Sequence, residues 1–159
     1  MNYLYLCKET DKFVYIKKGM VFEMRDDNCI FCKLANGVFP TNSIYEDENF
    51  NVILDINPAT KGHALILPKN HYKNLYEIPE DVAVDVMKLA KKMAIEMTEK
   101  LGADGFNLMQ NNNEIAGQTV FHFHMHLIPR YMDDEQKLTF VPTNPTSEEL
   151  TAIKELLTK

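Results

Sequence analysis

Gly117-Gln118-Thr119-Val120-Phe121-His122-Phe123-His124-Met125-His126-Leu127-Ile128 carries three of the chain's five histidines, at every second position. Phe121, Phe123, Met125 and Leu127 stand between and around them. Strict alternation predicts a β-strand, with the three imidazoles on one face and the apolar side chains packing a core on the other. A strand rises about 3.3 Å per residue, so neighbouring rings are rooted about 6.6 Å apart and the outer two about 13 Å. One metal ion reaches two adjacent rings but hardly all three. A row of histidines on one face suits a substrate spread along it, one ring per task.

Working outward, the 159 residues are enough for one domain with a real core, and the composition, 45% hydrophobic and 25% charged, is ordinary for a globular protein. The formal net charge is -6 and no basic run is visible, which argues against nucleic acid or an anionic membrane surface as the main partner. No apolar run approaches the roughly 20 residues that span a bilayer, and no secretory signal pattern opens the chain. Three cysteines do not make a disulfide scaffold, and Cys29-x-x-Cys32 points to metal or redox chemistry in a cytoplasmic protein.

Residues 1–23 read as a separate extension, a hairpin of Tyr3–Leu6 and Phe13–Ile16 around Glu9-Thr10-Asp11-Lys12, with Cys7 as a buried inert thiol. Residues 24–159 form the main domain. Cys29–Ala35 makes a short helix stopped by Asn36-Gly37. Ser43–Glu46, Phe50–Ile56 and His63–Pro68 follow as strands, with turn chemistry at Asn57–Gly62. Pro79 opens one long helix, in which Val82, Val86, Leu89, Met93 and Met97 form an apolar stripe that Gly102 closes. Phe106–Gln110 is a fourth strand and Asn111–Gly117 a polar loop before the histidine strand. Ser147 caps a last helix with Leu150, Ile153 and Leu157 on one face. Short links between strands, without βαβ alternation, predict an antiparallel α+β domain.

Two kinds of chemistry fit the histidine row. An H-x-H pair could chelate a catalytic metal, or one ring could act as nucleophile with its neighbours as acid and clamp. Gly117-Gln118-Thr119 favours the second: glycine allows close backbone approach, and Gln and Thr offer neutral donors to a phosphate.

His122-Phe-His124-Met-His126-Leu-Ile resembles the signature of the histidine triad (HIT) superfamily of nucleotide hydrolases and transferases. Asp55-Ile56, Gly62-His63, Pro68-Lys69-Asn70-His71, Asn111 and Gly117-Gln118-Thr119 stand at family-like positions, so the resemblance runs from about Cys29 to Arg130. It implies a HIT-like fold, mainly an antiparallel five-stranded sheet with one long helix. It also implies a homodimer and a double displacement at an α-phosphate of a purine nucleoside phosphoramidate or dinucleoside polyphosphate. In that reaction His124 forms a nucleotidyl-histidine intermediate that water resolves to a nucleoside monophosphate. His126 would donate to the phosphate or leaving group, with His63 as a further donor. Asn111, Gln118 and Thr119 would hold phosphate oxygens, and Asp55 the ribose hydroxyls. Ile30, Phe31, Phe39, Ile53, Ile56 and Leu65 match the family's base pocket. Cys29, Cys32, His71 and His122 resemble the structural Zn2+ set of the zinc-containing bacterial-type branch; no organic cofactor is implied. His126 stands where the uridylyltransferase branch has Gln, which favours a hydrolase. The extension departs from the family length, and a start at Met20 or Met24 would leave a family-sized chain. The rival reading is a nucleotide-binding or partner-binding module with little turnover.

Overall fold

The computed structural model describes residues 4–5, 14–15, 24–137 and 139–159. Strands β1 (Leu4–Tyr5) and β2 (Val14–Tyr15) pair antiparallel, Leu4 opposite Tyr15 and Tyr5 opposite Val14. The hairpin turn expected at Glu9–Lys12, and Cys7, lie outside the described residues.

The main domain is built on five strands: β3 (Ser43–Glu46), β4 (Phe50–Leu54), β5 (Ala64–Pro68), β6 (Gly105–Met109) and β7 (Met125–Arg130). They form one antiparallel sheet in the order β3-β4-β5-β7-β6. β4 and β5 read as nearly unbroken apolar runs because both faces of the sheet are covered there. Val52, Ala64 and Ile66 pack with the long helix α2 (Glu80–Leu101), whose Val86, Leu89, Ala90, Met93 and Met97 fill the main core. Their neighbours Ile53, Leu65 and Leu67 turn to the other face and pack with Ala35, Phe31 and Leu34 of the short helix α1 (Ile30–Ala35).

Helix limits fall close to expectation. Cys29 is the N-cap of α1 and its sulfur accepts from the Cys32 amide; Asn36 is the C-cap. α2 ends at Gly102, in the left-handed conformation that suits glycine. The last helix, α3 (Ser147–Leu157), is capped one residue earlier than expected. Thr146 accepts from the Glu149 amide while the Glu149 side chain accepts from the Thr146 amide, a full capping box. The side chains of Leu150, Ile153 and Leu157 are exposed.

The strand predicted across Gly117–Ile128 is corrected: regular pairing begins only at Met125. A 3-10 turn at Glu114–Ala116 leads to Gly117 at φ +88, and the Gln118 side chain folds the following residues into a loop. Alternation nevertheless survives as a division of faces. Phe123, Met125 and Leu127 join the α2-side core. His126 stands opposite Leu65, on the face that α1 covers. Phe121 leaves the pattern; its ring is exposed with the Lys73 ammonium 5.3 Å from its centroid.

Candidate functional site

All five histidines gather on the α1 side of the sheet in two adjoining clusters. In the first, Cys29 and Cys32 meet His71 and His122. Cys29 Sγ lies 3.5 Å from His122 Nδ1, and Cys32 Sγ lies 3.3 Å from His71 Nδ1 and 3.5 Å from His122 Nδ1. All four ligand atoms are within 4.8 Å of one another. A tetrahedral zinc bonded at about 2.3 Å to sulfur and 2.0–2.1 Å to nitrogen would hold its ligand atoms roughly 3.3–3.8 Å apart, so the set fits. The second ring nitrogen of His122 fits as well: Nε2–H donates to the Pro68 carbonyl at 3.0 Å and leaves Nδ1 bare for a metal. The Cys29 thiol is held well below its usual range, first by the Cys32 S–H and then by the His122 and His71 rings, which is the thiolate character a metal ligand needs.

The second cluster is Asp55, His63, His124 and His126, set at the ends of adjacent strands. Asp55 follows β4, His63 precedes β5, and the two are joined by an Asp55 N–H to His63 O bond of 2.9 Å. A glycine at position 62, φ +86, makes that turn; a Cβ there would stand 2.4 Å from Leu101 Cδ1. Buried His124 donates Nδ1–H to its own neighbour's carbonyl, His122 O, at 2.7 Å. Its Nε2 is then an unprotonated lone pair. Phe31 sets its ring edge-on to His124, centroids 5.0 Å apart, and to His122 at 6.1 Å.

The other two rings have their tautomers dictated by a backbone amide. Ala59 N–H donates to His63 Nδ1 at 3.0 Å, so neutral His63 carries its proton on Nε2. That Nε2–H donates to His126 Nδ1 at 2.9 Å. His126 therefore carries its own proton on Nε2, as a hydrogen-bond donor, beside His124 at 5.0 Å between centroids. Burial pushes the pKa of all three rings down: His63 and His124 go below the usual histidine value, and His126, beside both, is lowered to about 4. Asp55, with its carboxylate 3.7 Å from His63 Nε2, opposes the shift without cancelling it. All three are neutral at pH 7.

Asp55, His63 and His126 also bring ligand atoms within 4.8 Å of one another. Their hydrogen bonds do not suit a metal. Ligation at His63 Nε2 would move the proton to Nδ1, where it would face the Ala59 N–H. The chelating rival for the histidine row therefore has its fit in the cysteine cluster, with His122.

The remaining expected site residues divide. Phe31, Ile53 and Leu65 come together beneath α1. Ile30, Phe39 and Ile56 are exposed, Ile56 by 88%. Asn111 lies against the Gly117 loop, its amide nitrogen 3.5 Å from Gly117 O, and Thr119 is exposed in the same loop. Two expected contacts are corrected. Gln118 is 1% exposed and its amide is fully spent: it accepts from Asn113 N–H at 2.8 Å and donates to Lys73 O at 2.7 Å and Val120 O at 3.0 Å. It holds the loop and has no donor left for a phosphate. His63 spends its single N–H on His126, so it orients that ring and is not itself a phosphate donor. Ala59 and Pro68, which act through backbone groups, had no signal in their side chains that could have revealed them.

Fold and site together define a histidine-triad protein. Residues 36–133 match the family model described as HIT domain, and the chain belongs to that family. It is 36% identical over 129 residues, 80% of this chain and 94% of the relative, to adenosine 5′-monophosphoramidase of Schizosaccharomyces pombe. A HIT family protein of Bacillus anthracis superposes with a TM-score of 0.76 at 40% identity, covering 82% of this chain and 95% of that one. A Zn-bound histidine triad family protein of Mycobacterium smegmatis superposes at 0.66 with 38% identity, over the same shares of the two chains.

Proposed function

We propose that the chain is a nucleotide phosphohydrolase acting on purine nucleoside phosphoramidates or dinucleoside polyphosphates through a nucleotidyl-histidine intermediate. The observation that carries this is the fixed protonation pattern: a bare Nε2 on His124 beside an Nε2–H on His126. His124 Nε2 attacks the α-phosphorus with its lone pair. The P–N or P–O bond to the leaving group breaks, and the leaving group departs with that electron pair and takes up a proton from solvent. Water then attacks phosphorus and returns a proton to solvent, the P–N bond to His124 breaks, and the nucleoside monophosphate leaves with the ring restored. His126 Nε2–H steadies the phosphate oxygens throughout, and the desolvated surroundings strengthen that bond. His63 is the positioning residue behind it. Asn111 and Thr119 border the phosphate, Asp55 accepts the ribose hydroxyls, and the base lies toward Phe31, Ile53 and Leu65 with Ile30, Phe39 and Ile56 at the rim.

Cys29, Cys32, His71 and His122 would hold a Zn2+ with no open position, and its contribution would be to fix α1 and the histidine loop. A homodimer, a cytoplasmic setting and independence of nucleic acid belong to the same reading. Among the described residues no helix is long and apolar enough to cross a membrane. The monophosphoramidase name of the yeast relative supports the reaction class.

The reading is tested by single turnover on an adenosine phosphoramidate labelled at phosphorus. Wild type is expected to release labelled AMP and to retain label on protein after denaturation at alkaline pH, where the P–N bond survives, and His124→Asn to do neither. A wild type that neither hydrolyses nor becomes labelled ends the proposal. Metal analysis of the purified protein is expected to show zinc in wild type and His124→Ala and its loss in Cys29→Ser; the reverse pattern would place the metal on the triad.

A further inference from the structure

Cys29 and Cys32, the two thiols among the described residues, are both free. Their sulfurs lie within 4.8 Å of each other. A disulfide needs about 2.05 Å between sulfurs and roughly 4.4–6.8 Å between Cα atoms. Positions three apart at the start of a helix are roughly 5 Å apart at Cα, inside that window. Side-chain rotation therefore closes the gap with the backbone of α1 in place.

The two thiols are not equivalent. Cys29 stands just before the first turn of α1, between exposed Asn28 and Ile30, and its sulfur accepts the Cys32 N–H at 3.5 Å. Cys32 is deeper, 4% exposed against 9%, and its sulfur accepts the Asp26 N–H at 3.5 Å. A small oxidant meets the outer sulfur first, and the inner one stands behind it to resolve the product.

What the pair holds gives its oxidation a consequence. His122 Nδ1 lies 3.5 Å from each sulfur, while the carbonyl of the same residue accepts His124 Nδ1–H at 2.7 Å. That carbonyl is what leaves His124 Nε2 bare. The thiols and the tautomer of the nucleophile thus meet in one residue, through its ring on one side and its backbone on the other. A disulfide offers no thiolate, and His71 and His122 alone are half of the four ligands that a closed zinc site takes.

We propose that Cys29 and Cys32 are a peroxide-sensitive dithiol, whose oxidation to a disulfide dismantles the zinc ligand set and slackens the hold on His122 and His124. The inference rests on the zinc and hydrolase reading above. The Cys29 thiolate attacks the outer oxygen of a hydroperoxide and forms the S–O bond of a sulfenic acid. The O–O bond breaks, and the other oxygen departs as water or an alcohol after taking a proton from solvent. The Cys32 sulfur then attacks the Cys29 sulfur, the S–O bond breaks, and hydroxide leaves as water with a second proton. Two electrons pass from the sulfurs to the peroxide, and a small dithiol such as dithiothreitol returns them.

The test exposes the zinc-loaded full chain to hydrogen peroxide. Released Zn2+ is followed with a chromophoric chelator, and phosphoramidate turnover is measured alongside. After alkylation of the remaining thiols, trypsin cuts at Arg25 and Lys33, so both cysteines fall in the peptide Asp26–Lys33. An internal link leaves that peptide unalkylated and lighter by two hydrogens. Zinc is expected to be released in step with the linked peptide, turnover to fall by about tenfold or more, and both to return with dithiothreitol and added zinc. Cys7→Ser is expected to behave as wild type, and a link lost with Cys7 overturns the proposal. So does a chain that takes up no zinc, a peptide that stays reduced while zinc is released, or a link that forms while zinc stays in place. Turnover that survives the release of zinc overturns the coupling to His124. A chain inactive before oxidation that still forms the link and releases zinc ends the hydrolase reading and leaves the dithiol standing.

Discussion

Gln118 has one acceptor and two amide donors, and it commits all of them to Asn113, Lys73 and Val120. Replacing it with Met keeps the volume and strands three part-buried backbone groups. Gln118→Met is expected to lose about 1–3 kcal/mol in urea unfolding. From sequence this residue reads as a phosphate ligand, because polar side chains beside a glycine look alike whether they face a ligand or their own backbone. The three histidines of the row were legible as chemistry, since titratable rings in alternation have no place in an ordinary core. Their division of labour was legible only through the resemblance to the histidine-triad signature and not from the alternation itself, because it depends on carbonyls and sulfurs that the fold brings from Pro68, Cys29 and Cys32. The depressed pKa of His126, about 4 with His63, His124 and Asp55 around it, makes the neutral ring the working form. The acid limb of kcat/KM is expected below the ordinary histidine value of about 6.5, since protonation there would remove the acceptor that His63 uses. A pH profile of phosphoramidate hydrolysis measures it, and a limb above 6.5 would contradict the neutral pattern.

At the scale of elements, periodicity did most of the work. The stripe of α2 and the apolar runs of β4 and β5 are where one face, or both, is covered by a neighbour. The histidine strand was overextended because alternation reports which face a side chain takes, not whether the backbone is paired. The α3 cap shifted by one residue because Thr146 and Ser147 are both competent, and the Glu at the third helical position selects Thr146. The turn between β4 and β5 has the sharpest requirement. Gly62 stands at φ +86 with Leu101 pressed against it. Gly62→Ala is expected to cost about 1–3 kcal/mol in thermal or urea unfolding. Activity should fall beyond that loss, because the same turn carries His63.

For the whole molecule, burying neutral rings links folding to acidity. His63 and His126 have folded pKa values below their unfolded value of about 6.5. Between pH 6.5 and about 4 the unfolded chain binds more protons, so stability is full above 6.5 and falls as pH drops through that window. Thermal midpoints are expected to decline from pH 6.5, before most carboxylates titrate, and His126→Gln is expected to flatten that slope. An equal slope in the variant would show that another group is responsible. The fold class was legible because short links between strands leave few antiparallel arrangements. The contact between the two clusters was not, since α1 and β7 are almost a hundred residues apart in the chain.

The bond from Ala59 N–H to His63 has one more consequence. The proton placement of two rings is set by an atom that every amino acid except proline supplies. Position 59 can thus change its side chain freely while the site keeps its pattern, and an alanine scan is blind to it. Isotopic labelling of the imidazole nitrogens would expose it directly: in neutral His63 the Nδ1 resonance should be that of a bare nitrogen, and the Ala59 amide should exchange slowly with solvent although its residue lies on the surface.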